Sequence, residues 1–211
     1  TDARINLAGK DFAFDMWVNL TEGASTLISH GNNDVKLAIG TDADGKLSVT
    51  IGNNTYTSNN TVPTGKWAFL SLSLTADGIL NATVADDANE TTLFKNEAVA
   101  QYEGNGPVQI GCGTTTAMHE LLLWDEAHDM STALLNRSKT KNPSTRHLIG
   151  YWKMNEGEGT TIRDYARNRH MTMPDETWYL NNENKAINLD GQSYVSINAS
   201  ELPTCVDDDY D

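Results

Sequence analysis

Three carboxylates in the segment HELLLWDEAH are the first candidates for acid–base chemistry in this chain. Hydrolysis of a glycosidic bond uses two carboxyl groups, about 5–5.5 Å apart when configuration is retained and about 6.5–9.5 Å apart when it is inverted. If the segment is a regular strand, Glu120 and Asp125 lie on opposite faces, and Glu120 and Glu126 lie on one face roughly 20 Å apart. Neither spacing fits, so we predict that these residues do not form a hydrolytic pair.

Other motifs that carry chemistry are incomplete. His119 and Glu120 begin an H-E-x-x-H zinc motif, but Leu123 stands where the second histidine is required. The segment TDADGKL begins like a calcium-binding loop, but its glycine comes too early and no glutamate closes the loop. The sequence also has no G-x-S-x-G element that would present a nucleophilic serine. We therefore predict that the chain is not an enzyme.

Tryptophans beside polar residues are the candidates for binding a sugar. In an alternating strand, Trp17 shares a face with Asp15 and Asn19, and Trp67 opens a second run whose same face carries serines. An aromatic ring flanked by hydrogen-bonding groups can stack against a sugar and orient it. Trp178 lies in a polar stretch and is either a further contact or a lid over a sheet edge. The alternative for Trp17 and Trp67 is that they pack beneath a loop or helix.

The elements that must position these residues are mainly strands, because the dominant apolar period is two. In FAFDMWVNL one face is wholly apolar, and the polar residues and Trp17 occupy the other. Asp44-Gly45 and Asp77-Gly78 interrupt two further alternating runs and predict tight hairpin turns. The recurrence of such turns is typical of a sandwich or barrel.

One short helix is predicted within HDMSTALLNRSKTK, with Asp129 or Ser131 as its N-cap. The polar, proline-bearing segment KNPSTRH follows and is the best candidate for a boundary. Strand-like runs resume in HLIGYWKM, MTM and KAINLDGQSYVSI.

Composition limits the partners. The chain has 211 residues, 38% of them hydrophobic, and a net charge of −14, which is a globular composition that disfavours nucleic acid and anionic membranes as partners. No apolar run is long enough to span a bilayer, so no membrane insertion is expected. Cys112 and Cys205 allow one disulfide or two free thiols. The Asn- and Thr-rich chain contains seven N-x-S/T sequons, to which little weight is given: Asn19, Asn53, Asn59, Asn81, Asn89, Asn136 and Asn198.

The order of motifs resembles the laminin-G-like branch of the concanavalin A-like lectin and glucanase superfamily. DFAFDMWVNL, a hairpin, PTGKWAFLSLSL, an IG strand and MHELLLWDEAHDMSTALLN follow the family's order across residues 1–138. GYWKMNEGEGTTIRDYARNRHMTM and KAINLDGQSYVSI, which usually open the family's domain, come last here. The resemblance implies an all-β, two-sheet antiparallel jelly-roll sandwich with one short helix and a permuted strand order.

The C-terminal third can then be arranged in three ways. We expect residues 1–140 to form the jelly-roll core, residues 148–198 to supply strands that complete it, and residues 199–211 to form an acidic tail. The same strands could instead complete a second copy, giving a strand-exchanged dimer rather than a monomer, or they could begin a separate small domain. A half-sandwich would expose apolar faces and unpaired strand edges, which favours completion within one chain.

The resemblance also implies a function. The chain is expected to be a non-catalytic carbohydrate-binding or adhesion module of a secreted or cell-surface protein, as in multi-domain surface proteins of gut Bacteroidetes. Its expected partner is a glycan or a surface protein, and the alternatives are a structural spacer or a glycoside hydrolase. A structural Ca²⁺ is expected by resemblance, with Asp164, Asn168, Glu120 and Asp190 as candidate ligands. Alternatively, Asp164 and Asp190 only stabilise turns.

Overall fold

The structure is a computed structural model that describes residues 5–21, 24–31, 36–111, 115–173, 178–180, 185–190 and 195–197. Within these ranges the chain forms two large antiparallel sheets, a small two-stranded sheet and one helix. Among the described residues, no helix has the length and apolar character needed to cross a membrane. Cys112, Cys205 and the predicted tail at 199–211 lie outside the described ranges.

Sheet I is the first of the two large sheets, and strands are numbered in chain order. Its eight described strands lie in the order β14 (Thr161–Ile162), β15 (Met171–Thr172), β18 (Val195–Ile197), β11 (Val108–Ile110), β3 (Ser25–Gly31), β4 (Lys36–Thr41), β5 (Lys46–Ile51) and β6 (Asn54–Thr61).

Sheet II faces sheet I across the core. Its strands lie in the order β16 (Trp178–Leu180), β17 (Lys185–Asp190), β12 (Thr115–Trp124), β2 (Phe12–Leu20), β7 (Ala68–Leu74), β8 (Ile79–Ala85) and β9 (Glu90–Ala98). A further strand, β13 (Leu148–Trp152), pairs with the second half of β12. The small sheet joins β1 (Ile5–Asn6) to β10 (Asn105–Gly106), and the helix is α1 (Met130–Leu135).

The core lies between the two sheets and is built from the apolar faces that alternation predicts. On β2 the side chains of Phe12, Phe14, Met16 and Val18 are all fully buried in it. The all-β, two-sheet fold predicted from the sequence is therefore confirmed. The single short helix is also present, and Asp129 is its N-cap, accepting the backbone N–H of Thr132 at 3.0 Å.

The C-terminal strands lie within the two large sheets. β17 pairs with the first half of β12, from Thr115 opposite Asp190 to Met118 opposite Ile187, and β13 pairs with its second half. β18 pairs with β11 in sheet I. Trp152 of β13 is fully buried in the main core. In this arrangement the strands after residue 147 contribute to both sheets of the sandwich.

One tight turn shows why glycine is required there. Gly78, between β7 and β8, has a φ of 81°, and a Cβ added to it would lie 2.4 Å from the carbonyl oxygen of Val99. A side chain at this position would suffer both a disfavoured backbone conformation and a steric clash. The predicted hairpin therefore needs glycine at position 78 both for the turn itself and because the segment at Val99 packs against it.

A β-bulge in β12 overturns the assumption that this strand is regular. Pairing with β2 shifts between His119, which lies opposite Trp17, and Leu122, which lies opposite Asp15. Glu120 sits in the bulge with a φ of 56°. The extra residue places His119 and Glu120 on the same face, and regular alternation resumes after Glu120.

The bulge creates a second, smaller core on the outer face of sheet II. It is made of Ala13, Leu122, Trp124, Leu148 and Tyr151. After the bulge the even-numbered residues of β12 face outward, whereas before it Met118 faces the main core. Trp152 of β13 lies in the main core, whereas Trp124 of β12 lies in this outer one.

Candidate functional site

The outer face of sheet II carries most of the residues that the sequence nominated, but part of it is covered. α1 packs against β7 and β8. Beneath it Ser71 and Ser73 are almost completely buried. The polar row that was expected to line an open groove is therefore enclosed along β7.

Asp15 lies in the covered part. The indole N–H of Trp124 donates to its Oδ2 at 2.9 Å, and Nε2 of His128 lies 3.2 Å from its Oδ1. The residue is only 3% exposed. Both carboxylate oxygens are thus engaged within the protein, so the position predicted for Asp15, beside an open aromatic groove, is not the one that the fold gives it.

The same contacts do not make a catalytic triad. Ser71 Oγ lies 3.3 Å from Nε2 of His128, the same nitrogen that contacts Asp15. A general-base histidine must instead hold its nucleophile with one nitrogen and its carboxylate with the other. The arrangement therefore supports packing of the loop before α1 rather than activation of the serine.

The open part of the face holds a cluster of three rings, Trp17, His119 and Trp67, which we call the aromatic cluster. The rings of Trp17 and His119 are nearly parallel, 16° apart with centroids at 6.1 Å, and Trp67 meets His119 edge-on at 5.2 Å. All three side chains are partly exposed. The indole N–H of Trp17 donates to the carbonyl of Arg137 at 3.3 Å, so this ring is held in place from the segment after α1.

His119 is a neutral aromatic ring in this cluster. Burial lowers its pKa to about 4. Sequence reasoning considered it only as part of a failed zinc motif and missed its place between two tryptophans. The missing signal is a tertiary one, because His119 and Trp17 become neighbours through the pairing of β2 with β12.

Asn19 lies next to the aromatic cluster and has an unsatisfied acceptor. Its Oδ1 is buried and has no hydrogen-bond partner among the described residues. It follows Val18, which pairs with Ala68, so it lies across from Trp67. A buried carbonyl oxygen without a donor is costly, and a water or ligand hydroxyl would satisfy it.

Glu120 lies at the other side of His119, brought to the outer face by the bulge. Its Oε1 accepts the hydroxyl proton of Tyr151 at 2.8 Å. Burial raises the pKa of Glu120, and the Tyr151 hydrogen bond and the charges of Lys141 and Lys153 oppose that rise. Asp15, the carboxylate whose charge also raises the pKa of Glu120, has both oxygens engaged, so the two do not present a free acid–base pair.

The polar sequence around Trp178 suggested a loop, but the residue lies in a strand. It begins the edge strand β16, packs against the main core, and donates its indole N–H to the carbonyl of Gly159 at 2.9 Å. These contacts match the alternative that the ring covers a sheet edge.

The residues expected to bind Ca²⁺ do not fit such a site. Asp164, only 2% exposed, accepts four backbone N–H groups, from Tyr151, Ala166, Arg167 and Arg169, at 2.8–3.2 Å. Burial raises its pKa although these donors oppose the rise. A carboxylate whose lone pairs all face N–H groups has none left for a cation.

Of the other proposed Ca²⁺ ligands whose side chains the structure describes, Asn168 lies beside Asp164 and Glu120 does not. Glu120 lies on the outer face of sheet II, and the side chain of Asp190 lies outside the described part of the chain. Asn168 adopts a φ of 55° in the turn that Asp164 organises. Among the described residues, no group of three or more His, Cys, Asp or Glu side chains could hold a metal ion.

Comparison with known proteins supports the fold. No family model and no curated protein matches the sequence. A solved structure from Bacteroides ovatus, of a protein provisionally assigned to carbohydrate binding, is similar with a TM-score of 0.51 and 15% identity over 76% of this chain. The match covers 50% of that protein, so this chain spans about half its length. The two-sheet antiparallel jelly-roll fold inferred from the motif order is confirmed.

Two further solved structures are more distant. A heptameric SAP-like pentraxin from Limulus polyphemus has a TM-score of 0.43 at 12% identity, covering 61% of this chain and 70% of its own. Domains LG4-5 of the mouse laminin α1 chain have a TM-score of 0.35 at 14% identity, covering 62% of this chain and 40% of their own.

Proposed function

We propose that this chain is a non-catalytic carbohydrate-binding module of a cell-surface or secreted protein, and that the aromatic cluster is its contact surface. The observation that carries the proposal is the meeting of Trp17, His119 and Trp67 on an open part of sheet II. Partly exposed rings held by the protein provide apolar faces against which the C–H groups of a sugar can pack. The similarity to the Bacteroides ovatus protein agrees with this proposal.

Polar groups beside the rings would orient a bound sugar through hydrogen bonds. The unpartnered Oδ1 of Asn19 lies at one side of the aromatic cluster, and Glu120 at the other. A sugar hydroxyl donating to Asn19 would satisfy the orphan acceptor, and few convergent polar groups beside an apolar surface are typical of ligand sites. Because the chain carries a net charge of −14, a neutral glycan is favoured over an acidic one.

A structural spacer is the second candidate, and the covering of β7 favours it. Where Asp15, Ser71 and Ser73 were expected to line a groove, α1 and the residues before it fill the space. In that case the aromatic cluster only packs the segment after α1 against the sheet, with Trp17 bonded to Arg137.

A glycan array separates the two candidates. Wild type is compared with Trp17→Ala, and Tyr165→Ala serves as the matched control because Tyr165 is an exposed aromatic (39%) outside the aromatic cluster. Binding that is lost in Trp17→Ala and kept in Tyr165→Ala supports the module. If the wild-type protein binds no glycan, the carbohydrate-binding proposal is refuted and the structural-spacer proposal remains.

Substitution of Asn19 by the similarly shaped Leu gives an independent test. If a sugar hydroxyl donates to Asn19, Asn19→Leu weakens glycan binding. If Asn19 has no ligand, the same change removes an unsatisfied acceptor and raises the melting temperature without altering any binding. Enzymatic turnover is tested with Glu120→Gln, and release of reducing ends by wild type but not by this variant would contradict the non-catalytic assignment.

A further inference from the structure

A separate cleft lies on the far side of α1 from the aromatic cluster. Its volume is about 650 Å³, and it is bounded by α1 on one side and by β8 and β9 on the other. The helix wall is apolar, made by Met130 and Leu134, and Leu135 stands at the rim with 76% of its surface exposed; the Ala82 and Phe94 side chains of the strand side are buried in the main core. The volume is within the range of about 300–1,000 Å³ that is usual for small-molecule sites.

The charged residues around this cleft are largely neutralised within the protein. Glu90 is paired with Arg137 at 3.2 Å, and Asp129 caps α1 through the backbone N–H of Thr132. His128 is directed at Asp15. Lys95 is the remaining charged residue in the lining. The surface offered to a ligand is therefore close to neutral.

Neutral hydrogen-bonding groups line the strand side of the cleft, opposite its apolar helix wall. Asn81 accepts the backbone N–H of Asn96 with its Oδ1 at 2.8 Å, which leaves its amide N–H groups for another acceptor. Thr83 donates its hydroxyl proton to the carbonyl of Thr91, which leaves its oxygen lone pairs. Thr92 is exposed beside them. Both donors and acceptors are thus present on the side of the cleft that faces the apolar helix wall.

We propose that this cleft binds a neutral sugar of one or two rings. A pyranose combines an apolar C–H face with a rim of hydroxyl groups that both donate and accept, which matches a helix wall of Met130, Leu134 and Leu135 opposite Asn81, Thr83 and Thr92. This site does not depend on the function proposed for the aromatic cluster, since the two are formed by different strands. Arg137 touches both, through its carbonyl at Trp17 and its guanidinium at Glu90.

An added peptide strand is a poorer occupant. β9 is the edge of sheet II and carries Glu90, Lys95 and Glu97, and charged side chains on an edge oppose pairing with another strand. The carbonyl of Thr92 is also already bonded to Nδ2 of Asn60 from β6, at 2.9 Å. The edge is therefore partly closed, whereas the cleft beside it is open.

Saturation-transfer NMR with cellobiose, maltose, lactose and xylobiose tests the proposal. Thr92→Trp places a large side chain in the cleft from an exposed position, and Thr57→Trp, an exposed threonine of β6 outside the cleft, is the matched control. We expect at least one disaccharide to bind wild type, Thr57→Trp and Trp17→Ala alike, and to lose tenfold or more in affinity in Thr92→Trp. Digalacturonate, which is charged, should bind more weakly than its neutral counterparts.

The outcomes distinguish the two sites. Binding that survives Thr92→Trp, or no binding of any of the four disaccharides to wild type, overturns the cleft proposal. Glycan binding that is lost in Trp17→Ala and unchanged in Thr92→Trp overturns it too, and leaves the function proposed for the aromatic cluster standing. Loss in Thr92→Trp with no effect of Trp17→Ala supports the cleft, and the aromatic cluster is then judged by the glycan array alone. Unchanged melting temperatures of the tryptophan variants establish that each is folded.

Discussion

Acid should destabilise this protein through His119, and the size of the effect follows from its surroundings. The imidazole is held between Trp17 and Trp67, and burial lowers its pKa from 6.5 to about 4. Between these two pH values the unfolded chain binds a proton at this position and the folded protein does not. The free energy of unfolding therefore falls as pH decreases from 6.5 to about 4, and is unaffected by this group above that window.

The magnitude can be worked from the shift. Linkage gives about 1.4 kcal/mol for each pH unit inside the window, or about 2 kcal/mol lost at pH 5 relative to pH 7. The ring is partly exposed, and solvent screening reduces this upper limit, so we expect about 1 kcal/mol. That is a large share of the marginal stability of an ordinary domain.

Urea unfolding at pH 7 and pH 5, followed by tryptophan fluorescence, measures the effect in wild type and in His119→Gln. His30 is also buried with a lowered pKa, but it is present in both proteins and cancels in the comparison. Wild type should lose about 1 kcal/mol more than His119→Gln between the two pH values. Equal losses in the two proteins would show that His119 does not resist protonation in the folded state, and the account of the aromatic cluster as a desolvated site would be refuted.

Three further predictions concern the framework. Asp164→Asn should lower the free energy of unfolding by about 2–4 kcal/mol, because the amide turns its own N–H groups toward backbone N–H donors. Urea unfolding measures this loss. A loss no larger than that of an average surface substitution would contradict the role of Asp164 as the acceptor that holds the turn. Gly78→Ala should lower the free energy of unfolding by at least about 1 kcal/mol more than Gly45→Ala does. Both glycines have a positive φ, but of the two only Gly78 would place a Cβ against a backbone oxygen. Equal shifts in melting temperature for the two variants would argue against that clash. A chain cut to residues 1–140 should be insoluble, because one edge of β12 loses its partners β13 and β17. A fragment that stays soluble and unfolds cooperatively would contradict completion of the sandwich within one chain. A concentration-dependent dimer of the full chain in size-exclusion chromatography would contradict it too.

The aromatic cluster was only partly predictable. Counting by two correctly placed Trp17 and Asn19 on the face opposite Phe14 and Met16, since β2 is regular. It could not place His119 beside Trp17, because that contact depends on which strand pairs with β2 and in which register. The Ca²⁺ expectation came from resemblance, and the turn in which Asp164 takes up four backbone N–H groups removes its free lone pairs.

The sequence by itself determined the strands, their apolar faces and the glycine-bearing turns, because these depend on side-chain alternation and on the backbone freedom of single residues such as Gly45 and Gly78. Tertiary structure decided which polar residues remain accessible. A bulge at Glu120 inverted the faces of β12, and Trp124 and His128 enclosed Asp15 while Trp17 and Trp67 stayed at the surface. Such outcomes arise from contacts between residues far apart in the chain, where strand register and the packing of α1, rather than local pattern, set the burial of each side chain.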